Sequence, residues 1–403
     1  MEMRVRGGAD RYHLRPQFLQ ALPTLGTAPK IEKKRKLKRS SRKKQRITPI
    51  IPAKSRPWAD LPKELLHIFS KSDSLSVADF LSFGKVCRSW RLFYKETKGQ
   101  FMASRPPLVI YISTRAKKSC RFYEITTSPN SYQTKLPYFA RNFCIGFSNG
   151  YLIMEDLLTN VWLINPVTGH QLNYPRLFEA RNFLYCPDRA VFASIGDSQD
   201  NYLLAVLSPV YNKLMFFVSR VNQWQQFSYK GKTWSIGDIV VFGGRIYALT
   251  SEYQIGVLSV KTREVILLNL KGTPQLSGIR NVRFVASKNQ LLIVDFPPAA
   301  YNLEVYTIDL LKMEWVKVNR LRDERQAIFL GDRMSSRLSN AANWGGESNC
   351  VYHLPFMDNT CYIYSLNGEI LGSFPIMRQE AAPKMNGWFF PDQCFSIENV
   401  RDE

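Results

Sequence analysis

The residue types that come nearest to a nucleophile and its base in this 403-residue sequence are Cys350 and His353. A thiol beside an imidazole could support covalent catalysis. The run Cys350-Val351-Tyr352-His353-Leu354 reads as a strand, however, and a spacing of three turns two strand side chains to opposite faces, so the pair is not expected to meet. The sequence contains no phosphate-binding loop, no Gly-x-Ser-x-Gly, no His-Glu-x-x-His and no dinucleotide fingerprint. Its seven cysteines are widely spaced, form no Cys-x-x-Cys pair and have only four histidines to join them, which argues against a zinc site or a disulfide framework and for a reducing compartment. Among these, Cys87 reads as packed within helices, His67 as an outward helix residue and His170 as a turn residue. No enzyme activity, metal or cofactor is expected.

A second chemistry, attraction to anions, is confined to one end of the chain. Residues 1–56 hold 17 Lys and Arg against three acids, contributing +14 of the net +22. Eleven of those bases lie between Lys30 and Arg46, in two clusters, Lys33-Lys34-Arg35-Lys36 and Arg42-Lys43-Lys44, on either side of Ser40-Ser41. Such a run repels itself and offers closely spaced cations to acidic grooves or phosphates, so residues 1–56 read as a disordered basic arm. A nuclear-import signal read by an import receptor is its sharper interpretation and nucleic-acid association a secondary one; a merely solvated tail is the plain alternative. The rest of the chain carries +8, too diffuse for steering. No signal-peptide run or membrane span is found, so a nuclear, partly cytoplasmic protein is expected.

From residue 57 to 99 the pattern turns helical. Leu61, Leu65 and Ile68 recur at i, i+4, i+7, widened by Leu66 and Phe69, with Asp60 at the expected N-cap and Pro62 in the first turn. Ser76-x-x-Asp79 resembles a capping box ahead of Val77, Phe80 and Leu81, and Gly84 is a candidate stop. A third helix is expected to carry Val86, Cys87 and Trp90 on one side. Three helices in about forty residues bury little surface, so an apolar face left over would need a partner.

The segment resembles an F-box. Leu61-Pro62-x-Glu64-Leu65-Leu66 opens it, Ser76-Val77-x-Asp79-Phe80-Leu81-x-Phe83 continues it, and Val86-Cys87-x-x-Trp90-Arg91 closes it. The resemblance implies docking onto a Skp-type adaptor and, through it, a cullin, with Leu61, Pro62, Leu65, Ile68, Val86, Cys87 and Trp90 at or supporting the interface.

Beyond Arg105 short apolar runs alternate with polar turns, as at Leu108 to Ile112, Val161 to Ile164, Tyr202 to Leu207, Arg245 to Leu249 and Cys361 to Tyr364. Turns such as Asn165-Pro166-Val167-Thr168-Gly169, Gly243-Gly244, Lys288-Asn289 and Asn367-Gly368-Glu369 separate them, giving an all-β domain over 105–395. A weak repeat has equivalent strand positions at Tyr123, Leu163, Phe217, Leu258, Tyr306 and Tyr364, 40 to 58 residues apart. That period suits about six four-stranded propeller blades; a pair of β-sandwiches is the alternative. The fold class expected is therefore α+β multidomain.

Ile145-Gly146-Phe147-Ser148-Asn149-Gly150-Tyr151-Leu152, Leu163 to Gly169, Ala327 to Asp332 and Trp388-Phe389-Phe390-Pro391 resemble, in order, the kelch-like propeller of plant F-box proteins in the KIB group. That resemblance implies a non-catalytic substrate receptor of a ubiquitin ligase, recruiting a protein target through the propeller. The rival readings are a nuclear nucleic-acid binder acting through the arm and a propeller ligand-binding protein with a degenerate F-box.

Overall fold

The computed structural model describes residues 20–21, 58–72, 75–113, 119–125, 131–135, 143–156, 158–177, 189–196, 201–208, 213–227, 234–287, 289–297, 303–331, 336–355, 360–376, 384–395, 397 and 399–400. The basic run Lys30 to Arg46, and with it nearly all of the expected arm, lies outside them, as does Lys288 of one expected turn. The chain forms two units, residues 21–101 and residues 102–403 with 1–20.

In the first unit a 3-10 turn, Trp58–Asp60, precedes α1 (Lys63–Ser70), α2 (Val77–Val86) and α3 (Arg88–Ala103). Asp60 does not cap α1. It ends the preceding turn, and Pro62 takes the cap position with ψ of 146° and no side-chain cap bond. The cause is local: proline holds the residue before it out of the helical region, so the helix cannot start at Leu61. The capping box of α2 does form, Ser76 Oγ accepting from Asp79 N at 3.1 Å while the Asp79 carboxylate accepts from Ser76 N.

Gly84 does not stop α2, which runs on to Val86. Its bare Cα instead lets the Tyr94 ring approach to where an added Cβ would stand 3.2 Å away. The break falls at Cys87, whose backbone is extended. Val86 thus ends one helix and Trp90 sits in the next, so the expected shared side of Val86, Cys87 and Trp90 is not found. The core of this unit is aromatic. Phe80 stacks on Phe101 with centroids 3.8 Å apart, and Phe83 meets Trp90 edge-on at 4.8 Å.

The second unit is built of antiparallel four-stranded sheets joined in sequence. Blade 2 is Phe143–Ser148, Tyr151–Glu155, Val161–Ile164 and Gln171–Tyr174; blade 3 is Arg189–Ile195, Tyr202–Ser208, Lys213–Val218 and Gln223–Gln226. Blade 4 is Ile236–Phe242, Arg245–Thr250, Ile255–Ser259 and Glu264–Leu267; blade 5 is Val282–Ala286, Leu291–Asp295, Glu304–Asp309 and Glu314–Lys317. Blade 6, Gln326–Gly331, Cys350–Leu354, Thr360–Ser365 and Ile370–Pro375, departs from the pattern. Its first two strands run parallel, because Arg337–Asn340 folds back on the first before the chain continues. Blade 1 is composite: Leu108–Ser113, Ser119–Glu124 and Ser131–Lys135 are completed by the C-terminal Lys384–Phe389, which pairs antiparallel with Leu108–Ser113.

The expected strands sit within a residue of those observed. All six repeat positions, from Tyr123 to Tyr364, fall on the same strand, third from the inside of its blade. This is a six-bladed β-propeller.

Its hydrophobic core is divided into slabs between neighbouring blades. Leu204, Val206 and Phe217 of blade 3 pack toward Ile153 and Leu163 of blade 2, while Ala205, Leu207 and Phe216 on the opposite face pack toward Ile239 and Ala248 of blade 4. With both faces covered, Tyr202–Ser208 reads as an unbroken apolar run instead of an alternating one.

The closing strand joins the two ends of the ring. Trp388, fully buried, donates its indole Nε1–H to Leu330 O of blade 6 at 3.1 Å, and next to it Phe389 meets Phe147 of blade 2 at 5.1 Å. Beyond it Pro391–Phe395 lies against the Asn149-Gly150 turn, where Gly150 has φ of +77° and an added Cβ would be 2.5 Å from Cys394 Cα.

Trp388→Ala should lower unfolding stability by about 3–5 kcal/mol, read from urea midpoints. Gly150→Ala, which combines left-handed strain with a backbone clash, should cost about 1–3 kcal/mol or more in the same assay, whereas Gly169→Ala, with φ of +75° but open space around it, should cost less.

Candidate functional site

The small helical unit cannot bury all the apolar side chains its sequence supplies. Of the four large ones on α1, only Leu66 enters the core; Leu65, Ile68 and Phe69 remain 40%, 64% and 42% exposed. Residues three and four apart share a helix face, so Leu65, Ile68 and Phe69 stand together, one turn beyond the exposed Pro62 and half-buried Leu61.

Val86, half exposed, and Cys87 are held beside the start of this face. Ser89 Oγ donates to Ala59 O at 3.0 Å and the Trp90 indole donates to Trp58 O at 3.0 Å, so the junction of α2 and α3 is tied to the turn from which α1 emerges. Trp58 itself is 70% exposed.

The seven residues singled out from the sequence therefore divide into two groups. Leu65, Ile68, Val86 and Pro62 present surface, with Leu61 and Cys87 partly covered. Trp90 is buried against Phe83 and acts from behind, fixing the Trp58–Asp60 turn. Sequence reading missed Trp58 and placed Phe69 only as a widening of the face; the adjacency of Trp58 depends on a hydrogen bond across 32 residues that no local pattern encodes. His67 is exposed as expected, its ring edge-on to Phe93 at 4.8 Å.

Lys63 and Glu96 pair at 2.6 Å, both more than half exposed, so the pair contributes little to stability. A side-chain hydrogen bond with Ser89 moves the partly covered Cys87 thiol below its usual pKa.

The remaining described cysteines do not form reactive centres. Burial raises the thiols of Cys144 and Cys350 to about 12 and pushes those of Cys120, Cys361 and Cys394 well up too. Cys350 Sγ donates to Glu347 O, and His353 packs on Phe296 with centroids 4.1 Å apart. A thiol raised this far above neutrality gives no thiolate nucleophile. Among the described residues no group of three or more His, Cys, Asp or Glu is gathered to hold a metal, and no helix is long and apolar enough to cross a membrane.

Comparison with known proteins identifies the family of the propeller. Two Arabidopsis thaliana proteins named as F-box proteins are similar to this chain. At4g22660 is 28% identical over 30% of this chain and 31% of its own length, and At4g22180 is 25% identical over 34% and 33%. The chain thus aligns with about a third of the length of these curated relatives. Among solved structures, a chain of the nidogen/laminin complex superposes with a TM-score of 0.41 at 11% identity, covering 67% of this chain and 94% of that one. Residues 122–374, from the third strand of blade 1 to the last strand of blade 6, match the family model described as KIB1-4 beta-propeller. With that match spanning well over half of its length, the chain belongs to the KIB1-4 β-propeller family, as a plant F-box protein with a KIB-type propeller.

Proposed function

We propose that this protein is the substrate-recognition subunit of a Skp–cullin–F-box ubiquitin ligase, and that it performs no catalysis itself. The observation that carries this reading is the uncovered apolar face of Leu65, Ile68 and Phe69 beside Val86, in the segment whose sequence follows the F-box pattern. Docking a Skp-type adaptor there would remove these side chains from water, each worth roughly 1.5–3 kcal/mol when fully buried. The adaptor then bridges to the cullin.

The propeller supplies the second half of the task. Its slab cores fix six blades and the turns between them, a frame on which a protein target can be held close to the charged conjugating enzyme. Holding two reactants together raises their effective concentration without covalent chemistry in this chain. The basic run Lys33-Lys34-Arg35-Lys36 with Arg42-Lys43-Lys44 supports a nuclear location through an import receptor, with nucleic-acid contact as the second use of the same cations.

In a pull-down with a Skp-type adaptor, Ile68→Asp and Leu65→Asp should each weaken binding at least tenfold while the circular dichroism and melting of the chain stay unchanged. Undiminished capture by both variants would refute the assigned face, and no capture by the wild type would refute the ligase reading. Trp90→Ala should also weaken capture, but with a loss of about 3–5 kcal/mol in stability, since it opens the core. Neutralising the seven basic residues to Gln should shift a fluorescent fusion from nucleus to cytoplasm. If nucleic acid is instead the principal partner of the arm, binding to duplex DNA should fall steeply and linearly in log–log with salt, while adaptor capture should not.

A further inference from the structure

The centre of the propeller holds a cavity of about 100 Å³ among the inner strands of blades 2 to 5 and the fold-back of blade 6. Its lining includes three charged side chains, Arg189, Asp238 and Arg337. The acid among them is already satisfied. Asp238 Oδ1 accepts from Arg189 Nε at 3.0 Å and from Ile239 N at 2.9 Å, and Oδ2 accepts from Phe284 N at 2.8 Å, so this carboxylate ties blades 3, 4 and 5 together. An ion pair completed by two backbone donors is neutral to its surroundings.

Arg337 is differently placed. Its side chain is only 15% exposed, its Nη1 donates to Asp392 at 2.8 Å, and its guanidinium lies 5.5 Å from the Phe390 ring centroid. These two contacts fix the plane of the guanidinium but engage one of its five N–H donors. Beside it, Ser336 Oγ accepts from Gly331 N, which leaves the hydroxyl proton to donate elsewhere. Gln393, also on the cavity wall, makes no side-chain hydrogen bond to another described residue. Arg337, Ser336 and Gln393 line one space with donor capacity to spare, and no unsatisfied acid stands among the lining side chains, a set suited to an oxyanion.

We propose that this cavity binds a small oxyanion, a phosphate or a carboxylate, through Arg337, Ser336 and Gln393. Its volume is sufficient for a small free ion. Because Arg337 also holds Asp392, which lies in the segment Pro391–Phe395 that follows the closing strand, the bound ion would consolidate the same part of the ring that closure depends on. The site is separate from the helical face, and neither reading requires the other.

The test is equilibrium dialysis of the full chain against labelled inorganic phosphate and, separately, labelled acetate, with chloride holding ionic strength constant. At least one of the two should bind saturably at one per chain. Its Kd should rise at least tenfold in Arg337→Gln and in the double variant Ser336→Ala/Gln393→Ala, and stay unchanged in Lys261→Gln on an exposed turn. The double variant keeps the Arg337–Asp392 pair and decides the matter if Arg337→Gln fails to fold. Absence of saturable binding of both ions, or a Kd that moves less than tenfold in the folded cavity variants, would overturn the proposal.

Discussion

The pairing of Lys384–Phe389 with Leu108–Ser113 is the constraint on which the propeller depends. A row of blades that did not close would leave an apolar slab exposed at each end and unpaired strand edges beside it, a hazard for aggregation. Closure by a strand from the far end of the sequence removes both at once. Its chemistry lies in two adjacent residues: in a strand, neighbours point to opposite faces, so Trp388 reaches blade 6 and Phe389 reaches blade 2. One dipeptide therefore binds both neighbours of blade 1.

The helical unit obeys the opposite logic. Its aromatic core is assembled from few residues and leaves apolar surface uncovered, and the hydrogen bonds from Ser89 and Trp90 to the Trp58–Asp60 turn hold that surface in shape. The propeller satisfies its own strands, whereas the helical module does not satisfy its own face. The central ion pair of Arg189 with Asp238 belongs to the first design: buried, completed by backbone donors and spanning three blades.

Much of this was legible in the sequence because buried strands announce themselves as apolar runs. The repeat positions Tyr123 to Tyr364 are equivalent because each lies on the third strand of its blade. The inner strands were harder to see. Arg189–Ile195 and Ile236–Phe242 alternate buried and half-buried residues and carry Arg189 and Asp238, polar groups whose partners come from other blades. The turns after the third strands were read where Asn165 and Gly169 mark them. Arg263 and Met313, at φ of +59° and +54°, occupy the same left-handed position without glycine or asparagine to betray it. At the helical face, periodicity grouped Leu65 with Ile68 and the F-box resemblance set them at an interface, but the role of Trp90 was not legible. The burial of a tryptophan depends on which rings surround it, and periodicity within one helix cannot report that.

The division of the chain near Phe101 also sets an order in time. During synthesis the helices from Lys63 to Ala103 emerge together, with the core rings of Phe80, Phe83, Trp90 and Phe101 all made by Phe101, whereas blade 1 must wait for Phe389. For most of translation the chain carries a finished head and an unclosed ring whose flanking slabs are still open to water. The nascent chain therefore completes its helices well before it can complete a propeller, and for that interval the edges that closure will later remove stay open.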